Sequence, residues 1–330
     1  MNRWRNAGLF VGIVSVMYII PFEWGVRPGF AWMLRITAIL GLCLWAVGGT
    51  QHLRIWGTTR ERATTLAAFR IVMGACLVWT VATVIHADLV SVIWVTEEEG
   101  GYRALRTSFW LVRLLGGPTV PTMMALAWIA LGSGLCLMLG IGGRWTAFIA
   151  LQTFMAVSDI NAHAGGSYDE LLSNALWILV LAPATETLSL DCRIQSGRWR
   201  SHRLIYAWPR YLVMFQIVLV YWTTGLQKVS AYWVPGGDFS ALYFILQQPS
   251  WHRFEMTWLA WVFPLTQVAT ALTWFWEVLS PIWLLAMWYR YTASRPGRLR
   301  KWFNRIDMRA WYAAIGLVFH IIIFSLMDVG

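Results

Sequence analysis

The stretch "YWTTGLQKVSAYW", Tyr221 to Trp233, carries a lysine at the end of an apolar run, and Lys228 is one of two lysines, with Lys301, among 26 basic residues. Arginine supplies the rest. An arginine at the membrane surface snorkels as readily as a lysine, so snorkelling does not explain the choice. What distinguishes the amine is that desolvation can strip its proton, whereas a guanidinium stays charged in any protein. Tyr221 lies seven residues back and Thr224 four, so a helix puts both on the face of the amine, with Gly225 opening space one turn below. Two readings stand at this point: a snorkelling amine, or a base that shares its face with Tyr221 and Thr224.

A second constellation lies in "LTQVATALTWFWEVLSPIWLL". Thr266, Thr270, Thr273 and Glu277 recur at helical spacing, and Pro281 follows to kink the helix. A carboxylate at mid-membrane costs about 2.5 to 3.5 kcal/mol unless it finds a partner. Glu277 therefore binds a neighbouring helix or works on a proton. His320 in "GLVFHIIIF" is alone in its span, where an interhelical hydrogen bond is the first expectation and substrate binding the second. A third cluster, Asp159, Asn161, His163, Asp169 and Glu170 around a Gly-Gly pair in "SDINAHAGGSYDELLSNALWILVLAP", sits where the chain turns outside the membrane. Asp169 there is placed either to cap the next helix or to bind substrate.

Apolar runs must position these groups. With 58% hydrophobic and 13% charged residues, the chain reads as an all-α, polytopic transmembrane helical bundle in the cell membrane. About nine spans are predicted, near 7–22, 29–49, 66–94, 119–140, 145–160, 168–184, 208–231, 258–288 and 310–327. The first is a retained span, since "PFEWGVRPGF" follows it in place of a cleavage site. Residues 1–57 read as an accessory transmembrane hairpin ahead of a core over 58–330. Arginines collect in alternate loops, which selects an N-in, C-out orientation. The 24 tryptophans fit an interfacial belt.

That distribution also explains the net charge of +10. The arginines lie in short loops beside spans, so topology accounts for them and nucleic acid is excluded as a partner. "SRPGRLRKWFNR" is the densest basic run; topogenic charge is its first reading and acidic lipid or a partner's acidic tail its second. The four cysteines show no ligand spacing, so neither a metal nor a disulfide is predicted.

Four motifs in order resemble the horizontally transferred transmembrane domain proteins, whose best-known members are the vitamin K-dependent gamma-carboxylases. "GGSYDELLSNALWILVLAPATETLSLD" is similar to the family's Gly-Gly-acidic turn and its "LSLD"-like segment. "FQIVLVYWTTGLQKVSAYWVPGG" is similar to its Tyr, Gly, Lys, Trp, Gly signature, with Lys228 on the conserved lysine. "TALTWFWEVLSPIWLL" resembles its glutamate-then-proline span, and "FRIVMG" with Arg70 its opening helix; together these cover about residues 64–328.

The resemblance implies that Lys228 deprotonates a reduced, vitamin K-like quinone. His163 comes to the place of the family's catalytic histidine only with a gap, because Gly166 precedes the Ser-Tyr pair. The catalytic set expected is Lys228, His163 and Glu277; the substrate-binding set is Tyr221, Thr224, Asn161, Asp169, Trp233 and His320. The substrate is quinol-like or a peptide, met near the outer face of the bilayer. Short members of the family resemble maturation factors for secreted antimicrobial peptides, which implies a non-catalytic alternative working with a secreted peptide or a partner membrane protein. A small-solute transporter is the second alternative.

Overall fold

The computed structural model describes residues 58–102, 109–161 and 164–328, and they are mostly helical. The predicted hairpin over 1–57 and the expected catalytic residue His163 lie outside them. A strand β1 (Arg60–Arg62) leads into α1 (Thr64–His86), followed by the short helices α2 (Val90–Ile93) and α3 (Trp110–Leu114). Then come α4 (Val120–Leu139), α5 (Gly143–Ser158), α6 (Ser167–Leu181) and α7 (Leu190–Ser196), with β2 (Leu204–Tyr206) closing the first half. The second half holds α8 (Trp208–Gln227), α9 (Ala241–Gln247), α10 (Phe263–Val278), α11 (Pro281–Tyr291), α12 (Arg298–Arg305) and α13 (Met308–Leu326).

Among the described residues three helices, α1, α4 and α13, are long and apolar enough to cross a membrane. The run predicted as one span over 258–288 is a fourth candidate, but it is broken: Thr257–Val278 and Pro281–Tyr291 meet at 53°. The expected kink at Pro281 is its cause. Proline has no N–H to return to the carbonyl four residues back, which belongs to Glu277, and that carbonyl instead accepts from Ser280 N at 3.1 Å. The expected span over 66–94 also stops early. α1 ends at His86, and Asp88 takes a left-handed backbone conformation before α2. The two-stranded antiparallel pairing of β1 with β2 is an element that the all-α expectation did not contain.

The chain divides into two compact units, one formed by residues 55–211 and the other containing the chain from Leu212 onward. In the first, α1, α4, α5 and α6 pack around a core that includes Leu77, Val81, Met123, Leu126, Leu151, Phe154 and Leu176. α1 meets α4 through Gly74, where an added Cβ would lie 2.8 Å from the Gly134 carbonyl and 2.9 Å from Met138 Cγ. Small residues let two helices approach closely where lipid supplies no hydrophobic drive between them. The opposite faces stay apolar yet exposed, as at Trp79 on α1 and Ile315, Val318 and Ile322 on α13, which suits contact with acyl chains.

Gly74→Val should lower the melting temperature in detergent, with overpacking costing about 1 to 3 kcal/mol. Gly132→Val, on α4 and with nothing within 4 Å of the added carbon, should leave it unchanged or raise it. Equal melting of both variants would contradict this helix contact.

Candidate functional site

α8 runs as a regular helix to Gln227, and Lys228 is the first residue past its end. Its backbone N–H donates to the Gly225 carbonyl at 3.3 Å, so the last turn tightens and keeps the side chain beside the helix. The ammonium donates to both oxygens of Glu277, at 2.6 and 2.5 Å. It also lies 4.4 Å from the centroid of the Trp233 ring, a cation–π contact. Trp233 is brought back by the turn that follows, in which its N–H donates to the Ser230 carbonyl at 2.9 Å.

The pair forms because α8 and α10 can touch. A Cβ on Gly225 would lie 2.9 Å from Glu277 Cβ and 2.9 Å from Val278 N, so any larger residue would push the carboxylate away. Glu277 has 4% of its side chain exposed and Lys228 has 19%. The carboxylate is thus at the inner end, and the amine is the member that a ligand can reach. The expected stripe is present: Thr266, Thr270, Thr273 and Glu277 are all buried on one face of α10. Its hydroxyls are not a free polar track, however. Thr266 Oγ1 donates to the Phe263 carbonyl at 2.7 Å, and Thr270 Oγ1 donates to the Thr266 carbonyl at 2.8 Å while accepting from Leu242 N at 3.2 Å.

The Tyr221 hydroxyl is hydrogen-bonded to Nε2 of His320, which joins α8 to α13 and gives the lone histidine its interhelical bond. The Tyr221 ring stands edge-on to Trp276 at 4.6 Å. Trp276 stacks on Tyr312 at 5.0 Å, and Tyr312 on Trp283 at 5.6 Å. The stack is pinned at its centre: Trp276 Nε1 donates to the Tyr312 carbonyl at 3.3 Å, and Tyr312 Oη donates to the Trp276 carbonyl at 3.1 Å. The indole N–H groups of Trp274 and Trp283 are buried without a hydrogen-bond partner among the described residues.

Lys228, Glu277, Tyr221, Trp233 and His320 are therefore gathered in one unit. Thr224 is exposed, and its neighbour Gly225 is the residue that faces Glu277. Asn161 and Asp169 belong to the other unit. Asn161 is buried and donates to the carbonyls of Ile93 at 3.0 Å and Tyr102 at 3.4 Å; Asp169 accepts from Gly166 N at 2.9 Å and so caps α6. Arg70 is fully buried in the same unit and donates to the Leu188 carbonyl at 2.6 Å, while Asp191 accepts from Gly142 N at 3.1 Å. The "LSLD" segment is thereby latched to α1 and to the start of α5. Trp276, Trp283 and Tyr312 were not read from the sequence as site residues; the spacing of Tyr312, Gly316 and His320 by fours was the available signal.

A buried lysine–glutamate pair on a Gly-bearing helix and a Glu-then-Pro helix, with Arg70 on the opening helix, repeats the order of motifs noted above. Residues 59–294 match the HTTM domain. The chain belongs to the HTTM domain family. No curated protein and no solved structure matches it. The HTTM match contains Lys228 and Glu277 but stops before α13, so Tyr312 and His320 come from a helix beyond the matched region.

Removing one partner of the pair strands the other charge, a loss of roughly 3 to 5 kcal/mol, whereas replacing both by apolar residues is near neutral. Lys228→Met and Glu277→Leu should each unfold more readily than the parent, and the double variant should recover most of the loss. A double variant no more stable than the worse single one would contradict the pairing.

Proposed function

We propose that this HTTM domain protein is a multi-pass enzyme of the cell membrane, related in mechanism to the vitamin K-dependent gamma-carboxylases, in which Lys228 is the base and Glu277 its proton partner. The observation that carries this reading is the placement of a partly exposed amine on a buried carboxylate. A charge needed only for binding gains nothing from a partner that neutralises it. A base does: within the pair a proton can shift from Nζ to a Glu277 oxygen along an existing hydrogen bond, leaving a free amine without separating charge. Lys228 Nζ then takes a proton from a bound acidic hydroxyl. The restored ammonium stays beside the anion that this leaves, which stabilises it.

A planar, oxygen-bearing ring is the ligand class that these side chains support. The aromatic stack of Trp276, Tyr312 and Trp283 offers flat apolar surface, and the orphan indole N–H groups of Trp274 and Trp283 offer two donors in search of an acceptor. A reduced quinone would supply, when bound, the acidic phenolic hydroxyl. Tyr221, held by His320, and Trp233 would border the same site. The expected parts of Asn161, His163, Asp169 and Thr224 rest on the family resemblance and on sequence spacing alone. A non-catalytic factor for the maturation or export of a secreted peptide, or a transporter, needs a charge rather than a titratable amine, and so would accept arginine in place of Lys228.

The full chain reconstituted in nanodiscs should consume vitamin K hydroquinone in the presence of oxygen faster than empty nanodiscs do. Lys228→Arg and Glu277→Gln should each lower that rate by roughly 100-fold or more, the usual range for a lost proton-transfer group. Unchanged consumption in Lys228→Met would remove the lysine from the chemistry.

A further inference from the structure

The basic run "SRPGRLRKWFNR" has no part in the site described above. It folds into α12, eight residues between the end of α11 at Tyr291 and the start of α13 at Met308. Because α13 is long and apolar enough to cross a membrane, a helix that ends three residues before it lies at the membrane surface. α12 is held there by its own packing. Phe303 is buried edge-on against Tyr289 at 5.2 Å, and Asn304 Nδ2 donates to the Tyr289 carbonyl at 2.9 Å.

The helix has two arcs. At 100° per residue, Leu299, Trp302, Phe303 and Ile306 fall on one side, and Arg300, Lys301, Arg305 and Arg298 sweep round the other. Phe303 faces the protein, but Leu299 is 53% and Trp302 50% exposed, so half of the apolar arc is uncovered. None of the four cations forms an ion pair with a described residue. The nearest carboxylate in sequence, Asp307, is taken by Arg309 at 2.8 and 3.0 Å. Arg300 lies over the Tyr289 ring at 5.1 Å and donates to the Pro296 carbonyl at 2.9 Å, yet its Nε is buried with no partner among the described residues.

We propose that α12 is an interfacial helix that binds anionic phospholipid headgroups, with Leu299 and Trp302 set among the acyl chains and Arg298, Arg300, Lys301 and Arg305 on the phosphates. Charge that only directs insertion needs no amphipathic helix, no exposed tryptophan beside it and no uncovered apolar arc. Lipid explains all three: the aromatic ring sits at headgroup level, the long cationic side chains snorkel outward, and phosphates supply the anions that the protein withholds. α12 lies beyond the HTTM match, so the lipid site is a property of this chain's own segment.

The test uses the full chain purified in detergent and offered equal amounts of phosphatidylglycerol and phosphatidylcholine, with retained lipid counted by native mass spectrometry. The parent should keep phosphatidylglycerol preferentially, and each of Arg298→Gln, Arg300→Gln, Lys301→Gln and Arg305→Gln should weaken that preference by up to about fivefold. The control Arg193→Gln/Arg198→Gln/Arg200→Gln should leave it intact. A preference that survives the four substitutions, or that falls equally in the control, overturns the proposal. So does displacement of the lipid by a polyglutamate peptide, which would assign the helix to an acidic protein segment. Should the charge variants not fold, a spin label at Trp302→Cys in a cysteine-free background decides: in phosphatidylglycerol bilayers it should be more accessible to oxygen than to a water-soluble nickel reagent, and the reverse order overturns the proposal.

Discussion

Two opposite charges set among apolar helices at 2.5 to 2.6 Å impose conditions on everything around them. Unpaired, the buried carboxylate would carry an uncompensated charge; the amine beside it offsets most of that cost, provided that the backbones carrying them come close enough. Gly225 is what lets α8 and α10 do so. Pro281 ends α10 just after Glu277 and removes the normal partner of its carbonyl, so the carboxylate sits at a break rather than in the middle of a continuous helix. The turn after Lys228 brings Trp233 over the amine. Each of these devices would be a defect in an ordinary span, and each is accounted for by the pair.

How the pair is flanked bears on its use. Tyr221 and His320 are joined to each other, and the Trp276–Tyr312–Trp283 stack ties α10, α11 and α13 into one block beside Glu277. The arrangement is rigid where charge must be held and open at the amine. In the other unit the polar residues are spent on the fold: Arg70 and Asp191 fasten the "LSLD" segment, Asn161 fastens the loop at Ile93 and Tyr102, and Asp169 caps α6. The family motifs thus divide into those that latch helices and those that meet at the Lys228 amine.

Much of the second unit was legible in the sequence because its signals are local. The rarity of lysine singled out Lys228, helical spacing gave the buried face that ends in Glu277, and Pro281 announced the break. What stayed hidden depends on contacts far apart in the chain. Nothing in "GLQK" says that Gly225 faces Glu277, 52 positions on. Trp276 and Trp283 look like any of 24 tryptophans until Tyr312 is found between them. The strands β1 and β2 are three residues each, too short for periodicity to register, and their pairing joins segments more than 140 residues apart. In the run over 258–288 Pro281 marks where the helix breaks, but the 53° angle between its two halves is set by packing that the sequence does not show.

The scarcity of lysine also makes the central claim directly measurable. With only Lys228 and Lys301 in the chain, protein labelled with 15N at lysine Nζ and 13C at glutamate Cδ gives two amine signals in solid-state NMR. The Lys228 signal should show strong dipolar coupling to a glutamate carboxyl, which Lys301→Arg leaves in place and which Lys228→Met or Glu277→Gln removes. A parent spectrum with no such coupling, or a coupling that persists in Lys228→Met, would contradict the pair on which this account rests.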